Sequence, residues 1–217
     1  MTKSKKNKIL APKLPKGIES IKGEIDGLED EMKISNQYIS NCHLDYQEAK
    51  EVCFDGVILK NVSLKNSTLS NLELIDVRLE NCDLSNVNMK GAIIHRLELI
   101  GCKLTGINLT EATLHNTYIK ECNGQFALFT FSKLKKVKIE ESILEYSNFH
   151  DSRFDQVEIE GCNLKESEMS GVKLEGIDLS DSNIEGVGVR LEDLKGAVVS
   201  PMQAVDLSKL IGLVIKT

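Results

Sequence analysis

Residues 72–91 read LELIDVRLENCDLSNVNMKG, a stretch in which a Leu or Met recurs at every fifth position. Apolar residues keep this spacing in both directions, from Ile34 to Val199, and only Ala49 and Gly124 lack a large side chain. A second series of small or apolar residues lies two positions earlier in each group of five. The sequence is therefore a five-residue repeat, the feature that has to be recognised before any other in a repetitive chain.

A five-residue period fits neither an α-helix nor a flat strand. Five residues of helix rotate by about 500°, so an apolar stripe of this period would wander around the helix. Residues two apart share one face of a strand, which suits each inward pair, but the next pair would face the other way. The chain must therefore turn a corner every five residues.

The cysteines fix the number of corners in one coil. Five of the six cysteines are separated by multiples of 20 residues: Cys42, Cys82, Cys102, Cys122 and Cys162. Side chains that stack in one column recur once per coil, so one coil contains four groups of five residues. The sequence therefore predicts a four-sided parallel β-helix in which each coil stacks on its neighbours.

The repeats resemble those of the pentapeptide-repeat family, whose consensus is A(D/N)LXX. Matching stretches are CDLSN (residues 82–86), VNMKG (87–91), INLTE (107–111) and IDLSD (177–181). The resemblance covers residues 31–200 and implies an all-β solenoid, a right-handed quadrilateral β-helix. It also implies a protein that acts by binding and not by catalysis.

Four segments are predicted along the chain. Residues 1–17 contain six lysines and form a flexible basic tail; this tail is either a loose terminus or a contact for nucleic acid or an acidic partner. Residues 18–31 form an N-terminal cap with an amphipathic helical pattern. Residues 32–200 form the β-helix, and residues 201–217 form a C-terminal cap of a helix and a short strand.

The C-terminal cap carries recognisable helix signals. Ser200 before Pro201 predicts a helix start, and Gly212 predicts its end. The apolar residues 213–215 then predict a short strand. This segment is either a plain cap or, as the resemblance to quinolone-resistance members implies, a homodimer contact. Its candidate residues are Met202, Val205, Leu210, Leu213 and Ile215.

Chemistry-bearing residues are read as structural. The cysteine column lies at an inward position, where Cys behaves as a small apolar side chain, whereas Cys53 lies at an outward one. His95 and His115 share a column, but two imidazoles are too few for a metal site. The sequence contains no nucleophile–base set, so we predict no enzyme activity, no metal and no cofactor.

Composition restricts the partners. The net charge is −6 and the acidic excess lies in the repeats, which argues against direct nucleic-acid binding. No apolar run reaches the length of a membrane span, and no secretory signal precedes the repeats. We therefore expect a cytoplasmic protein with reduced thiols and no membrane contact.

Two surfaces are candidates for partner binding. One face of the predicted solenoid is acidic, and its acids are Glu80, Glu98, Glu121, Glu140, Glu141, Glu158, Glu160, Asp178 and Asp181. The other surface surrounds Gly124, where Phe126, Leu128 and Phe131 occupy outward positions. Phe126 either folds back over the space left by Gly124 or belongs to an exposed apolar patch.

Two functions follow from these features. The first is a general protein-interaction scaffold with an unknown target. The second is implied by the family resemblance: a rod that mimics DNA, binds type II topoisomerases (DNA gyrase or topoisomerase IV) and protects them from quinolones. An acidic face and a C-terminal dimer fit the second function.

Overall fold

The computed structural model describes residues 8–20 and 23–215 as a stack of coils. Leu74 pairs with Ile94, Ile94 with Leu114, and so on in steps of 20 residues, and every strand pair is parallel. The predicted right-handed, four-sided parallel β-helix is confirmed. The strands are β1 Lys33–Ser35, β2 Tyr38–Ser40, β3 Glu48–Lys50, β4 Cys53–Asp55, β5 Ile58–Lys60, β6 Thr68–Ser70, β7 Glu73–Glu80, β8 Ile93–Ile100, β9 Thr113–Lys120, β10 Lys133–Glu140 and β11 Arg153–Glu160.

The four sides are numbered here by their central residue. Face 1 carries Leu74, face 2 Leu79, face 3 Leu84 and face 4 Met89, each with the residues 20 positions before and after it. The long strands β7 to β11 each run through faces 1 and 2, whereas faces 3 and 4 are joined between coils mainly by isolated bridges. Each corner is named by the two faces that it joins.

The corners explain the polar residues of the repeat. Corner residues adopt left-handed backbone conformations, with φ of 51° at Asn81 and 57° at Asn86, for example. Asn and Gly tolerate this region better than other residues do. Some corner asparagines also form ladders, as where Nδ2 of Asn86 donates to Oδ1 of Asn66 at 3.1 Å.

The core is a filled aliphatic column with one aromatic layer. Phe129 and Phe149 stack at 4.7 Å between ring centroids, and Phe154 meets Phe149 edge-on at 5.8 Å. The inward residues that precede Phe149 and Phe154 by two positions are Ser147 and Ser152, so a small side chain compensates for each ring. The interior is therefore packed with side chains and contains no channel along these coils.

Gly124 leaves no empty space in the core. A β-carbon placed on Gly124 would lie 2.9 Å from Cδ2 of Leu144, which is buried one coil away. Phe126 is 54% exposed and does not cover this position. Of the two readings of the sequence, the structure therefore supports the exposed apolar patch.

We expect the substitution Gly124→Leu to destabilise the protein by about 1–3 kcal/mol, because it overpacks a layer that Leu144 already fills. Gly124→Ala is the control and should cost less, since only the end of the flexible Leu144 side chain has to move. Urea unfolding measures both variants. A Gly124→Leu protein more stable than the unaltered one would contradict this description of the layer.

The cysteine column has the predicted position. Cys82, Cys102, Cys122 and Cys162 are buried free thiols, and Cys42 near the end of the stack is partly buried. Burial raises the pKa of Cys162 above its usual range, which keeps that thiol protonated. Cys53, which lies outside this column, is also partly buried.

The N-terminal segment differs from the expected flexible tail. Residues 1–7 lie outside the described residues, but residues 8–17 run along the outside of the solenoid. The backbone N–H of Leu10 donates to Oδ1 of Asn116 at 3.2 Å, and that of Lys13 donates to Oδ1 of Asp76 at 2.7 Å. This segment is called the strap below.

The N-terminal cap is mostly irregular and not helical. Its regular part is one 3-10 turn at Ile18–Ser20. The backbone of Gly23 donates to Tyr38 at 2.8 Å, and a β-carbon there would lie 2.5 Å from Oε1 of Gln37. This close approach to the first coil is incompatible with a continuous helix. Ile18 and Leu28 are nevertheless buried, so the segment covers the end of the core.

The C-terminal segment begins as predicted and ends differently. A 3-10 turn at Leu191–Leu194 interrupts the last coil, and helix α1 then spans Pro201–Leu207. Ser200 caps α1 through a capping box with Gln203. A second 3-10 turn ends at Gly212, whose φ is 79°.

The strand predicted for residues 213–215 is wrong, since these residues are irregular. A strand needs a neighbouring edge to pair with, and the chain has already left the stack of coils at Ser200. The three apolar side chains of this segment are exposed instead.

Candidate functional site

An apolar patch crosses faces 3 and 4 around the Gly124 coil. It is called the aromatic band, and its members are Phe126, Leu128, Phe131, Ile143 and Tyr146, which are 38–54% exposed. Phe126 stacks on Tyr146 with 5.2 Å between ring centroids and an interplanar angle of 9°. Phe131 meets the ring of His150 edge-on at 6.1 Å. The three residues predicted from the sequence therefore lie side by side, and the structure adds Ile143 and Tyr146.

The two phenylalanines occupy corner positions with a strained backbone. The φ angles are 60° at Phe126 and 58° at Phe131. Bulky residues rarely adopt this left-handed region, and strained conformations of this kind concentrate at functional sites. Two coils earlier, the same columns contain Gly at position 86+20 and position 91, which the corner conformation accepts without strain. The rings are thus held outward at a local energetic cost.

A column of cations adjoins the aromatic band on face 1. Lys133 pairs in register with Arg153, and Lys173 follows one coil later; all three side chains are exposed. Within the described part of the chain, no ion pair is seen for any of the three. An open cleft of about 580 Å³ is lined by Phe131, Arg153 and Lys173 together with neighbouring residues. This group is called the basic column.

The acidic face is partly neutralised by cations from neighbouring coils. Lys60 pairs with Glu80 at 3.0 Å, and Arg78 bonds to Glu98 at 2.7 Å. These partners are 20 residues apart and therefore lie on adjacent rungs of face 2. Instead of an uninterrupted anionic stripe, this part of the face is a ladder of alternating charges.

Glu140 is the centre of a second set of ion pairs on face 2. It receives Lys138 at 2.6 Å, Lys120 at 3.0 Å and the hydroxyl of Tyr118 at 3.0 Å. Hydrogen bonds from Lys138 and then Lys120 lower the pKa of Glu140 to about 2. Lys138 also binds Glu160 at 2.8 Å. Glu140 and Glu160 are therefore parts of the scaffold as much as parts of its surface.

The remaining predicted acids are more open. Glu121 and Glu141 lie on the 2/3 corner with more than half of each side chain exposed, and both approach Lys120, at 3.7 and 3.5 Å. Asp178 and Asp181 are exposed nearer the C-terminal end, whereas Glu158 is half-buried on face 2. The structure thus divides the predicted acidic set into ladder members and exposed corner or end residues.

We expect Glu140→Gln to destabilise the protein by about 1 kcal/mol at pH 7, because two charge-assisted hydrogen bonds lose their anion. Since the pKa of Glu140 is lower in the folded state, its contribution is complete above pH 4.5 and is lost as the pH falls toward about 2. The variant should therefore lose less stability than the unaltered protein over that interval. The control is Glu141→Gln, whose carboxylate is 57% exposed. Thermal unfolding as a function of pH measures both, and equal effects would refute the central role of Glu140.

Groups suited to metal binding or catalysis are not concentrated at these surfaces. His95 and His115 stack with 4.9 Å between ring centroids. Burial, first of all, and nearby cations lower the pKa of both imidazoles. Among residues 8–20 and 23–215, no cluster of three or more His, Cys, Asp or Glu side chains could hold a metal ion.

Family models match most of the solenoid. A model described as a pentapeptide repeat region matches residues 72–149, and one described as pentapeptide repeats in eight copies matches residues 50–86 and 147–186. Together these ranges extend from residue 50 to residue 186, over the coils that carry both candidate surfaces. The chain belongs to the pentapeptide-repeat family.

Other comparisons agree with membership of the family. This pentapeptide-repeat protein is 30% identical over 128 residues to the uncharacterized protein YisX of Bacillus subtilis, and the match spans 59% of this chain and 60% of that relative. Solved structures similar to it include QnrB1, a plasmid-mediated fluoroquinolone resistance protein (16% identity, 88% and 96% of the two chains, TM-score 0.43). Another is HetL, involved in heterocyst differentiation regulation in Nostoc (16% identity, 78% and 90%, TM-score 0.37).

The C-terminal candidate residues of this pentapeptide-repeat protein are exposed. Met202 is 73% exposed, Val205 43%, Leu210 47%, Leu213 54% and Ile215 42%. They project from α1 and the irregular segment that follows it. None of the helices in the described ranges has the length and apolar character needed to cross a bilayer.

The ion pairs and the basic column were not identified from the sequence. One signal could have found the ladder, because residues of opposite charge recur 20 positions apart, as in Lys60 and Glu80 or Lys120 and Glu140. The basic column has the same signal in like charges, Lys133, Arg153 and Lys173. Columns, and not faces as wholes, are therefore the unit in which surface charge should be counted.

Proposed function

We propose that this pentapeptide-repeat protein is a non-enzymatic interaction scaffold that binds a partner protein through the aromatic band and the basic column. The partner presents apolar side chains to Phe126 and Phe131 and acidic side chains to Lys133, Arg153 and Lys173. Aromatic anchors beside complementary charges are the usual composition of a binding hot spot.

One observation carries this proposal. Phe126 and Phe131 hold exposed rings at left-handed corner positions. Asn or Gly would satisfy the same backbone at lower cost, as they do at other corners. Exposure and strain at the same two residues favour a role in contact with another molecule over a role in folding.

A photo-reactive cross-linking side chain placed at position 126 tests the proposal in the full chain. The same group at position 86, in the same corner column two coils away, is the control. We expect a protein partner to be cross-linked from position 126 only, and the purified partner to bind the unaltered chain less tightly as salt increases. A partner that cross-links equally at both positions, or whose binding ignores salt, argues against this site.

A second candidate function is binding to DNA gyrase or topoisomerase IV with protection from quinolones. The exposed acids Glu121, Glu141, Asp178 and Asp181 favour it, since a DNA mimic needs anions that face solvent. Supercoiling by purified gyrase, with and without a quinolone, tests it directly. Neutralising these four residues to Gln or Asn should abolish protection; protection that survives excludes the acidic surface as its cause.

We also propose that the exposed C-terminal residues form a homodimer contact. The apolar side chains of Met202, Val205 and Leu213 support this proposal. Sedimentation of the full chain should show a dimer that Met202→Glu with Leu213→Glu converts to a monomer. A monomeric unaltered chain at high concentration would refute it.

A further inference from the structure

The strap contacts the solenoid at a regular spacing. Its amides at Leu10 and Lys13, three residues apart, bind Asn116 and Asp76, which are two coils apart on the 1/2 corner. Three residues of an extended, polyproline-like chain span about 9.3 Å. Two rungs of a parallel stack span about 9.6 Å. The strap and the corner are therefore commensurate.

Side chains of the strap follow the same three-residue period. Ile9, Pro12 and Pro15 are each half-buried, and Lys13 between them is exposed. Pro15 lies over Gly56, where a β-carbon would be 3.8 Å from its Cδ. A PxxP spacing presets the extended conformation, so this segment loses little conformational entropy on docking.

The corner beneath the strap has the properties of a receptor. Asp76 is 8% exposed and Asn116 1% exposed, although both are polar corner residues. Arg96 holds the Asp76 carboxylate with a two-pronged hydrogen bond, whose second contact, Nη2 to Oδ2, is 2.6 Å. The acceptor oxygens that meet the strap are thus fixed in position before the peptide arrives.

The apolar part of the contact is less complete. Ile9, Leu10 and Ala11 face Leu97 and Tyr118 across a small cavity of about 90 Å³. Leu10 keeps 44% of its surface exposed. The hydrogen bonds fix the register of the strap, whereas its apolar contact is small enough to be exchanged.

We propose that the 1/2 corner from Gly56 to Asn116 is a peptide-binding groove, occupied in this structure by the protein's own strap. The groove takes an extended segment with apolar or proline residues at every third position and free backbone N–H groups between them. A segment of this pattern from another protein competes with the strap for the same acceptors. This surface is separate from the aromatic band and does not depend on the function proposed above.

Amide hydrogen exchange in the full chain tests the cis contact. Asp76→Gly combined with Asn116→Gly removes both acceptors, and glycine occupies the same column naturally at positions 56 and 176. Exchange at Leu10 and Lys13 should accelerate about 10- to 100-fold. Asn86→Gly, at another corner whose column also contains Gly106, is the control and should leave both amides protected. Unchanged protection in the double variant would overturn the proposal.

Binding in trans is tested with a labelled peptide of residues 8–17. The receptor is the full chain with Ile9→Asp and Lys13→Asp, which weaken the cis apolar contact and place a second carboxylate beside Asp76. Once exchange confirms an open strap, the peptide should bind saturably by fluorescence anisotropy. Adding Asp76→Gly and Asn116→Gly should weaken binding at least about tenfold. Absence of binding to the opened chain, or binding that ignores these two acceptors, would overturn the groove.

Discussion

Replacing Phe126 and Phe131 together by asparagine is expected to weaken partner binding about 100-fold or more while the solenoid stays folded. Aromatic residues at the centre of an interface often contribute 2 kcal/mol or more each on truncation. Folding should change by no more than about 1 kcal/mol, because relief of the strained corners offsets the loss of the Phe126–Tyr146 stack. Calorimetric titration with the cross-linked partner measures binding, and thermal unfolding measures stability.

The matched control changes the same two corner columns elsewhere. Asn86→Gly and Asn71→Gly lie on earlier coils, and Gly106 and Gly91 show that glycine fits both columns. Binding to this control should equal binding to the unaltered chain. If both double variants bind equally well, the aromatic band is a solvated surface, and the partner site has to lie elsewhere on the solenoid.

Removing the ring of Phe149 is expected to have the largest effect on stability. Phe149 is fully buried between Phe129 and Phe154. Phe149→Ala should therefore cost about 3–5 kcal/mol, because the rigid coils above and below cannot close the cavity. Since coils contact only their neighbours, the loss should also reduce the cooperativity of denaturant unfolding.

Phe149→Leu provides the control for this cavity. Leu69 and Leu109 occupy the same column, so a leucine side chain suits the position and should cost less than about 1.5 kcal/mol. Denaturant unfolding followed by circular dichroism distinguishes the two variants. A cost below about 1 kcal/mol for Phe149→Ala would mean that the aromatic layer collapses and that the core is softer than its packing indicates.

The fold was predictable because one rule acts at every position. An inward residue every five positions leaves a single arrangement of strands and corners, and the 20-residue cysteine spacing determines the number of corners. Helix α1 was also predictable, since the Ser200–Pro201 pair is a local capping signal that needs no knowledge of the rest of the chain. The C-terminal strand failed because a strand depends on a neighbour that local sequence does not specify.

The strap was not predictable for a related reason. Its register depends on backbone N–H groups that meet Asn116 and Asp76, and backbone donors leave no trace in the residue pattern. The tightly filled space at Gly124 was equally hidden, because Leu144 fills it by a choice of side-chain conformation. The outward position of Phe126 and Phe131 was visible in the sequence, but the choice between exposure and fold-back required coordinates.

The uniform 20-residue coil makes distance along this molecule a quantised variable. Inserting or deleting one coil between the aromatic band and α1 would move them apart or together by about 4.8 Å. Their angular relation around the axis would not change, because each coil returns to the same face. Evolution or design can therefore tune the span between two contact sites in fixed steps, as on a graduated ruler, without re-engineering either site.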